Sequence, residues 1–264
     1  MTTVLIAAAL YVIATGLLIR SLATDAGSPG KAWAVPAALA VVLHGAFHIS
    51  AAIHTPGGPD LHFFAALSLV GLGMAALTTL VGLRGRMAAL GVVVFPVAAI
   101  LLYLRYQYGP SHGNTLGWRL ALHAWLALLA YATLSIAALL AMMLWLQERA
   151  LRKRAFHAWM RVMPPLGDLE SLLFRTIMVG FSLLTLTLLS GVLFVDDLLA
   201  QKLVHKTVLS VLSWLVFGVL LIGRLRWGWR GRKAVHWTLA AMLLLLLAFF
   251  GSRFVIDLVV GGRG

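Results

Sequence analysis

Long apolar runs separated by short polar connections dominate the chain. Eight of these runs are long enough, at ~1.5 Å per helical residue, to cross ~30 Å of hydrocarbon. The apolar positions are continuous and lack the alternation of barrel strands, so each run predicts a membrane-spanning helix. The predicted spans are Val4–Leu22, Ala32–Ile53, Phe63–Leu83, Met87–Tyr106, Trp118–Leu146, Leu172–Phe194, Thr207–Leu225 and Val235–Val260.

The composition agrees with this pattern. Of the 264 residues, 62% are hydrophobic and 11% are charged, a balance that soluble globular domains do not have. We therefore predict an all-α polytopic membrane protein, a bundle of eight transmembrane helices that forms a single domain over residues 1–264. The chain contains no cysteine, which excludes disulfides, thiolate metal ligands and covalent haem attachment to this chain.

The basic residues predict the orientation of the bundle. Fifteen of the 21 lysines and arginines fall in or beside the first, third, fifth and seventh connections, whereas the second, fourth and sixth hold four. Because basic connections stay in the cytoplasm, both termini are predicted to face outward. The net charge of +13 is then a topology signal, and binding to nucleic acid is not expected.

Catalytic groups are sparse. The acidic residues lie near span boundaries or in connections, and no carboxylate pair, Ser-His-Asp order or phosphate-binding loop is present. We therefore do not expect an enzyme. The acidic residues are Asp25, Asp60, Glu148, Asp168, Glu170, Asp196, Asp197 and Asp257.

One strongly polar side chain, His123, lies near the start of the fifth predicted span. Most positions at helical spacing from it carry alanine, and small residues let a neighbouring helix approach closely. An ionisable group on such a packing face of a membrane helix is a functional candidate. The alanines on this face are Ala127, Ala130, Ala137 and Ala141.

Two further histidines, His44 and His48, are four residues apart on one face of the second predicted span. In the predicted topology they lie within a few turns of the outer surface, at about the depth of His123. Imidazoles from two helices of a bundle commonly bind haem iron. Lys206 and Arg253 lie near the same surface and are candidate partners for the haem propionates.

Simpler interpretations stand beside this one. Each histidine taken alone is more typical of a hydrogen bond to a neighbouring helix. Arg253 has Asp257 one turn further on as an alternative partner, or extends its charge toward the membrane surface. Zinc is disfavoured, because it usually takes three or four histidine, cysteine or carboxylate ligands.

Several short motifs mark the second half of the chain, and together they resemble the cytochrome c assembly family (CcsA/CcmC-like) in its eight-helix, YpjD-type inner-membrane branch. The resemblance covers residues Trp118 to Val260 well and the first half loosely. The motifs are Ala121-Leu122-His123-Ala124-Trp125, Met163-Pro164-Pro165-Leu166, Leu184-Thr185-Leu186-Thr187-Leu188, His205-Lys206-Thr207-Val208-Leu209-Ser210, Gly228-Trp229-Arg230-Gly231-Arg232 and Phe250-Gly251-Ser252-Arg253.

This resemblance implies a membrane protein that handles haem, with His123 matching the family's histidine at the start of the corresponding helix. The family's cytochrome-maturation members present haem at the outer face with a Trp-rich loop and external histidines. Here the sixth connection has no tryptophan, and Ile222-Gly223-Arg224 and Gly261-Gly262-Arg263 stand where the family has histidines. Haem binding is therefore the stronger expectation, and delivery to apocytochrome c the weaker one.

The sequence thus predicts haem b bound in the outer half of the bacterial inner membrane. His123 and either His44 or His48 would be the axial ligands, with Lys206 and Arg253 at the propionates. Expected partners are the lipid bilayer, haem and other haem-handling or cytochrome maturation proteins. The alternative is a non-enzymatic membrane accessory or transporter protein that keeps the scaffold without haem.

Overall fold

The fold of the computed structural model is helical, with no strand among the residues that it describes. These are residues 1–24, 30–54, 61–83, 86–109, 117–153, 165–194 and 201–251. Eight of the helices in these ranges are long and apolar enough to cross a membrane, which confirms the predicted polytopic helical class. The helices fall into two compact units, and the single domain stays a prediction.

The first unit contains α1 to α4, in which α1 packs against α2 and α4, and α3 packs against the same two helices. Short 3-10 turns, Lys31–Trp33 and Arg86–Leu90, lead into α2 and α4. The helices are α1 (Thr2–Thr24), α2 (Ala34–His54), α3 (Phe63–Gly82) and α4 (Gly91–Gln107).

Small residues and a few large aromatic rings fill the interior of the first unit. Tyr11 is fully buried, and its ring stacks on Phe95 with centroids 5.9 Å apart. The Trp33 ring also packs on Phe95, with centroids 6.1 Å apart. Alanines at buried positions of α1, α2 and α3 let the helices approach closely enough to enclose these rings.

The second unit contains α5 to α8, in which α5 packs against α6 and α8, and α7 packs against the same two helices. The contact between α5 and α6 is close at Gly180, where an added Cβ would lie 2.5 Å from the buried Leu134 side chain. The helices are α5 (Trp118–Arg152), α6 (Leu166–Phe194), α7 (Gln201–Trp227) and α8 (Arg232–Leu246), followed by a π-helical turn (Leu247–Gly251).

Three helices extend about six residues beyond one end of their predicted spans. Helix α5 ends at Arg152 rather than Leu146, α6 begins at Leu166 rather than Leu172, and α7 begins at Gln201 rather than Thr207. Hydropathy ends a span where charges begin, whereas backbone hydrogen bonding can continue past the apolar part of a helix. Residues 252–260 of the predicted eighth span lie outside the described residues.

The earlier start of α6 places Glu170 inside a helix, and its side chain is buried. Its carboxylate accepts a hydrogen bond from Arg224 Nη1 of α7 at 2.8 Å, and Arg230 Nε lies 3.4 Å away. The Arg224 guanidinium also lies over the Phe174 ring, 4.7 Å from its centroid. This ion pair attaches the end of α7, and the turn after it, to α6.

The turn between α7 and α8 depends on glycine. Gly228 and Gly231 have φ angles of +63° and +53°, in the left-handed region that L side chains rarely adopt. The Trp229 N–H donates to the Gly223 carbonyl oxygen at 3.1 Å. The Trp229 ring packs so closely on Gly223 that an added Cβ there would lie 2.5 Å from it.

Replacing Glu170 with glutamine should destabilise the second unit, because Arg224 would keep its charge and lose the buried carboxylate. Breaking one charged hydrogen bond of this kind costs about 2 kcal/mol, which lowers the thermal midpoint in detergent by about 5 °C. Asp168→Asn is the matched control, since Asp168 is exposed on the same helix. Equal midpoints for the two variants would contradict this role of Glu170.

Candidate functional site

The imidazoles of His44 and His48 lie on one face of α2, in the first unit. Their ring centroids are 5.4 Å apart and their planes differ by 26°. His44 continues the buried stripe of α2 that includes Ala37 and Ala40, and it is fully buried. His48, one turn further on, is half-buried. The spacing of four residues therefore produces the side-by-side pair that the sequence predicts.

Both imidazoles bond to a single hydroxyl on α3. Ser68 Oγ lies 2.9 Å from His44 Nε2 and 2.9 Å from His48 Nε2. On its other side, His44 Nδ1 lies 3.2 Å from the hydroxyl oxygen of Tyr11 on α1. Tyr11, His44 and Ser68 are all fully buried, so these contacts form a polar chain inside an apolar bundle.

In the second unit, His123 is half-buried near the start of α5 and bonds to α6. Its Nδ1 lies 3.0 Å from Ser190 Oγ. The His123 ring also lies against the backbone of α6, since an added Cβ on Gly191 would be 3.2 Å from its Cε1. A larger residue at position 191 would crowd the ring, so glycine permits this contact.

The hydrogen bond of Ser190 fixes the tautomer of neutral His123. The Ser190 hydroxyl donates its single hydrogen to the Thr187 carbonyl oxygen at 2.9 Å. The same oxygen can then only accept from His123, so Nδ1 carries the ring proton. His123 Nε2 is therefore unprotonated and has a lone pair for a metal ion.

The remaining predicted site residues are only partly described. Lys206 is half-buried, and its Nζ lies 5.8 Å from the centroid of the Phe249 ring. It lies within α7 rather than at its start, because α7 begins at Gln201. Arg253 lies outside the described residues. The proposed propionate role of both side chains stays a prediction.

Other polar partners were not predicted from the sequence. Ser68, Ser190 and Tyr11 have no distinguishing motif, and serine or tyrosine in an apolar span is common. A helical projection shows on which face of its own helix each histidine lies. It does not show which residue of another helix lies opposite. In the described ranges, no group of three or more histidine, cysteine, aspartate or glutamate side chains converges on one point.

The chain is a multi-pass helical membrane protein in which histidine imidazoles form hydrogen bonds with serine hydroxyls on neighbouring helices. The family model for the cytochrome C assembly protein matches residues 32–260, and the chain belongs to this family. The family identified from the sequence motifs is thereby confirmed. Family membership supports a haem-related role in the membrane.

Several curated proteins are similar to the chain. The inner membrane protein YpjD of Escherichia coli (strain K12) is 34% identical over 97% of this chain and 98% of its own length. Protein HemX of Brevibacillus brevis is 30% identical over 49% of the chain and 48% of its own length. The cytochrome c biogenesis protein CcsA of Prochlorococcus marinus (strain AS9601) is 32% identical over 33% of the chain and 29% of its own length.

No solved structure matches the chain significantly. The eight apolar helices and the nearly full-length similarity to an inner membrane protein make the chain a multi-pass protein of the bacterial inner membrane. This confirms the predicted localisation.

Replacing Ser190 with alanine should remove the preference of His123 for the Nδ1–H tautomer. With the hydroxyl present, ¹⁵N NMR of histidine-labelled protein should show His123 Nδ1 protonated and Nε2 unprotonated, and the variant should show more of the opposite tautomer. Ser182→Ala is the control, because Ser182 is exposed on the same helix and donates to Met178. A predominant Nε2–H tautomer in the unmodified protein would contradict the assignment.

Proposed function

We propose that the chain binds haem b in the outer half of the inner membrane, through His123 of α5 and either His44 or His48 of α2. When bound, haem would supply an iron that imidazole nitrogens could hold, and if haem is the cargo it would be the molecule that is transferred. The polypeptide itself makes and breaks no covalent bond in this proposal.

The observation that carries the proposal is the state of His123 in a member of the cytochrome c assembly family. Histidines that bind metals almost always donate the other ring N–H to an oxygen, which fixes the tautomer and the ring orientation. His123 has this arrangement, with Nδ1 bonded to Ser190 Oγ. The donor chemistry at this position therefore suits haem iron.

The α2 histidines supply candidates for the second nitrogen. The Nε2 atom of each imidazole lies 2.9 Å from Ser68 Oγ. Iron bound at either nitrogen would replace that hydrogen bond with a metal–nitrogen bond. His48 is half-buried whereas His44 is enclosed, which makes His48 the more accessible of the two. Lys206 and Arg253 remain the proposed propionate partners.

The orientation of the bundle belongs to the same proposal. Both termini would face outward, which would place His44, His48 and His123 in the outer half of the membrane. Similarity to HemX and to a cytochrome c biogenesis protein supports partners among haem-handling or cytochrome maturation proteins. Those partners would receive or supply haem, and nucleic acid would not be among them.

The test is the absorption spectrum of the purified protein, as isolated and after incubation with hemin. We expect a Soret band that is lost in His123→Ala and reduced in His44→Ala or His48→Ala, because each change removes a possible axial nitrogen. His236→Ala is the control, since His236 is exposed on α8. Colourless protein that hemin does not reconstitute would instead favour a membrane accessory or transporter protein that keeps the scaffold without haem.

A further inference from the structure

The turn between α7 and α8 carries more positive charge than its carboxylate neighbours can balance. We call residues 223–233 the basic turn, because they include five basic residues and no acidic one. The basic residues are Arg224, Arg226, Arg230, Arg232 and Lys233. Two carboxylates from other helices reach this segment, since Glu170 bonds to Arg224 and Arg230, and Glu148 lies against Gly231. Even if each carboxylate neutralises one cation, three positive charges remain.

These three charges belong to side chains at the surface of the turn. Arg226, Arg232 and Lys233 are exposed, and none of them forms an ion pair with a carboxylate in the part of the chain that the structure describes. Lys233 instead lies over an aromatic ring, with its Nζ 5.7 Å from the centroid of Trp229. The basic turn therefore presents three cations to which an anion can bind without displacing a carboxylate.

The backbone that carries these cations is held in place at several points. Gly228 and Gly231 supply the two positive φ angles of the turn. Between them, the Trp229 N–H donates to the Gly223 carbonyl oxygen at 3.1 Å, and the Trp229 carbonyl oxygen accepts from Arg224 Nη1 at 3.3 Å. A binding surface whose backbone is already ordered loses less conformational entropy when a ligand binds.

Tryptophan rings lie beside the same cations. The Trp229 ring packs against the rings of Trp227 and Trp237, with centroid distances of 6.0 and 5.3 Å. Trp227 is 66% exposed and Leu225, at the end of the apolar span, is 82% exposed. Indole rings favour the boundary between hydrocarbon and water, so the basic turn lies at the depth of the phospholipid headgroups. The cations suit a phosphate group, and the exposed apolar side chains suit the rest of a lipid.

We propose that the basic turn is a binding site for anionic phospholipids, in which Arg226, Arg232 and Lys233 bind the phosphate and Trp227 contacts the glycerol and upper acyl region. Basic segments beside membrane spans attract anionic lipids, and guanidinium groups pair well with phosphate oxygens. A zwitterionic lipid carries the same phosphate together with a cation, which the three positive charges repel. The site therefore selects lipids with a net negative charge. It involves no haem, so its test is independent of the proposed function.

The first experiment is a lipid titration of the full chain in a neutral detergent, followed by native mass spectrometry. Phosphatidylglycerol and phosphatidylcholine with identical acyl chains are compared, and we expect phosphatidylglycerol to bind more tightly. Each of Arg226→Gln, Arg232→Gln and Lys233→Gln should lower the affinity for phosphatidylglycerol about fivefold. Arg175→Gln is the matched control, because Arg175 is exposed on α6, outside the basic turn, and its loss should leave the affinity unchanged. Equal affinities for the two lipids, or an equal effect of Arg175→Gln, would overturn the proposal.

A charge-conserving variant separates the loss of a cation from damage to the turn. Lys233→Arg keeps the positive charge, and we expect it to bind phosphatidylglycerol as tightly as the unmodified protein does. If Lys233→Arg lost as much affinity as Lys233→Gln, the charge at this position would not be what binds the lipid, and the proposed role of Lys233 would be wrong.

The second experiment distinguishes a lipid from a free phosphate ion. Trp227→Ser should lower the affinity for phosphatidylglycerol, because the lipid loses its apolar contact. Trp118→Ser is the control, since Trp118 is 69% exposed at the opposite end of α5 from Glu148, which lies against the basic turn. Inorganic phosphate, added at constant ionic strength, should not displace the lipid. Displacement by inorganic phosphate, or an unchanged affinity in Trp227→Ser, would indicate a site for small anions and overturn the proposal.

Discussion

The constraint that organises this protein is that a polar side chain in an apolar helix must find a hydrogen-bond partner within the protein, and for the imidazoles of His44 and His123 that partner lies on a neighbouring helix. Water cannot satisfy an imidazole or a hydroxyl inside hydrocarbon, and an unpaired group there costs several kcal/mol. The serine hydroxyls of Ser68 and Ser190 meet this need for the histidines of α2 and α5. Small residues make these contacts possible, since Gly191 lets the His123 ring lie against α6. The contact with Ser190 also determines that the unprotonated nitrogen of neutral His123 is Nε2.

The membrane spans could be predicted because the hydropathy of a span is summed over many residues, and a few polar residues change it little. It missed the ends of α5, α6 and α7, where the helix continues into charged positions. For that reason Glu170 was assigned to a boundary, whereas it is buried in α6 and paired with Arg224. The candidate histidines could be identified as rare ionisable groups in apolar spans. Their partners could not, because helical spacing defines a face and gives no information about which helix lies opposite.

At the end of α7, the structure shows what the residues that replace a family histidine do instead. Where the family has a histidine, this chain has Ile222-Gly223-Arg224. Arg224 is a permanent cation bonded to Glu170 and has no lone pair for a metal, while Gly223 lies under the Trp229 ring. This end of the second unit is therefore built for an ion pair and a glycine turn. The imidazoles proposed to bind iron are those of His123 and of the α2 histidines.

The proposed ligation of one haem is tested most directly by electron paramagnetic resonance of the ferric protein loaded with one equivalent of hemin. Two neutral imidazoles, one from α5 and one from α2, predict a six-coordinate low-spin spectrum of the bis-histidine type. The low-spin spectrum should be lost when His123 is replaced. A high-spin spectrum in the unmodified protein, or a low-spin spectrum that persists in His123→Ala, would contradict the account.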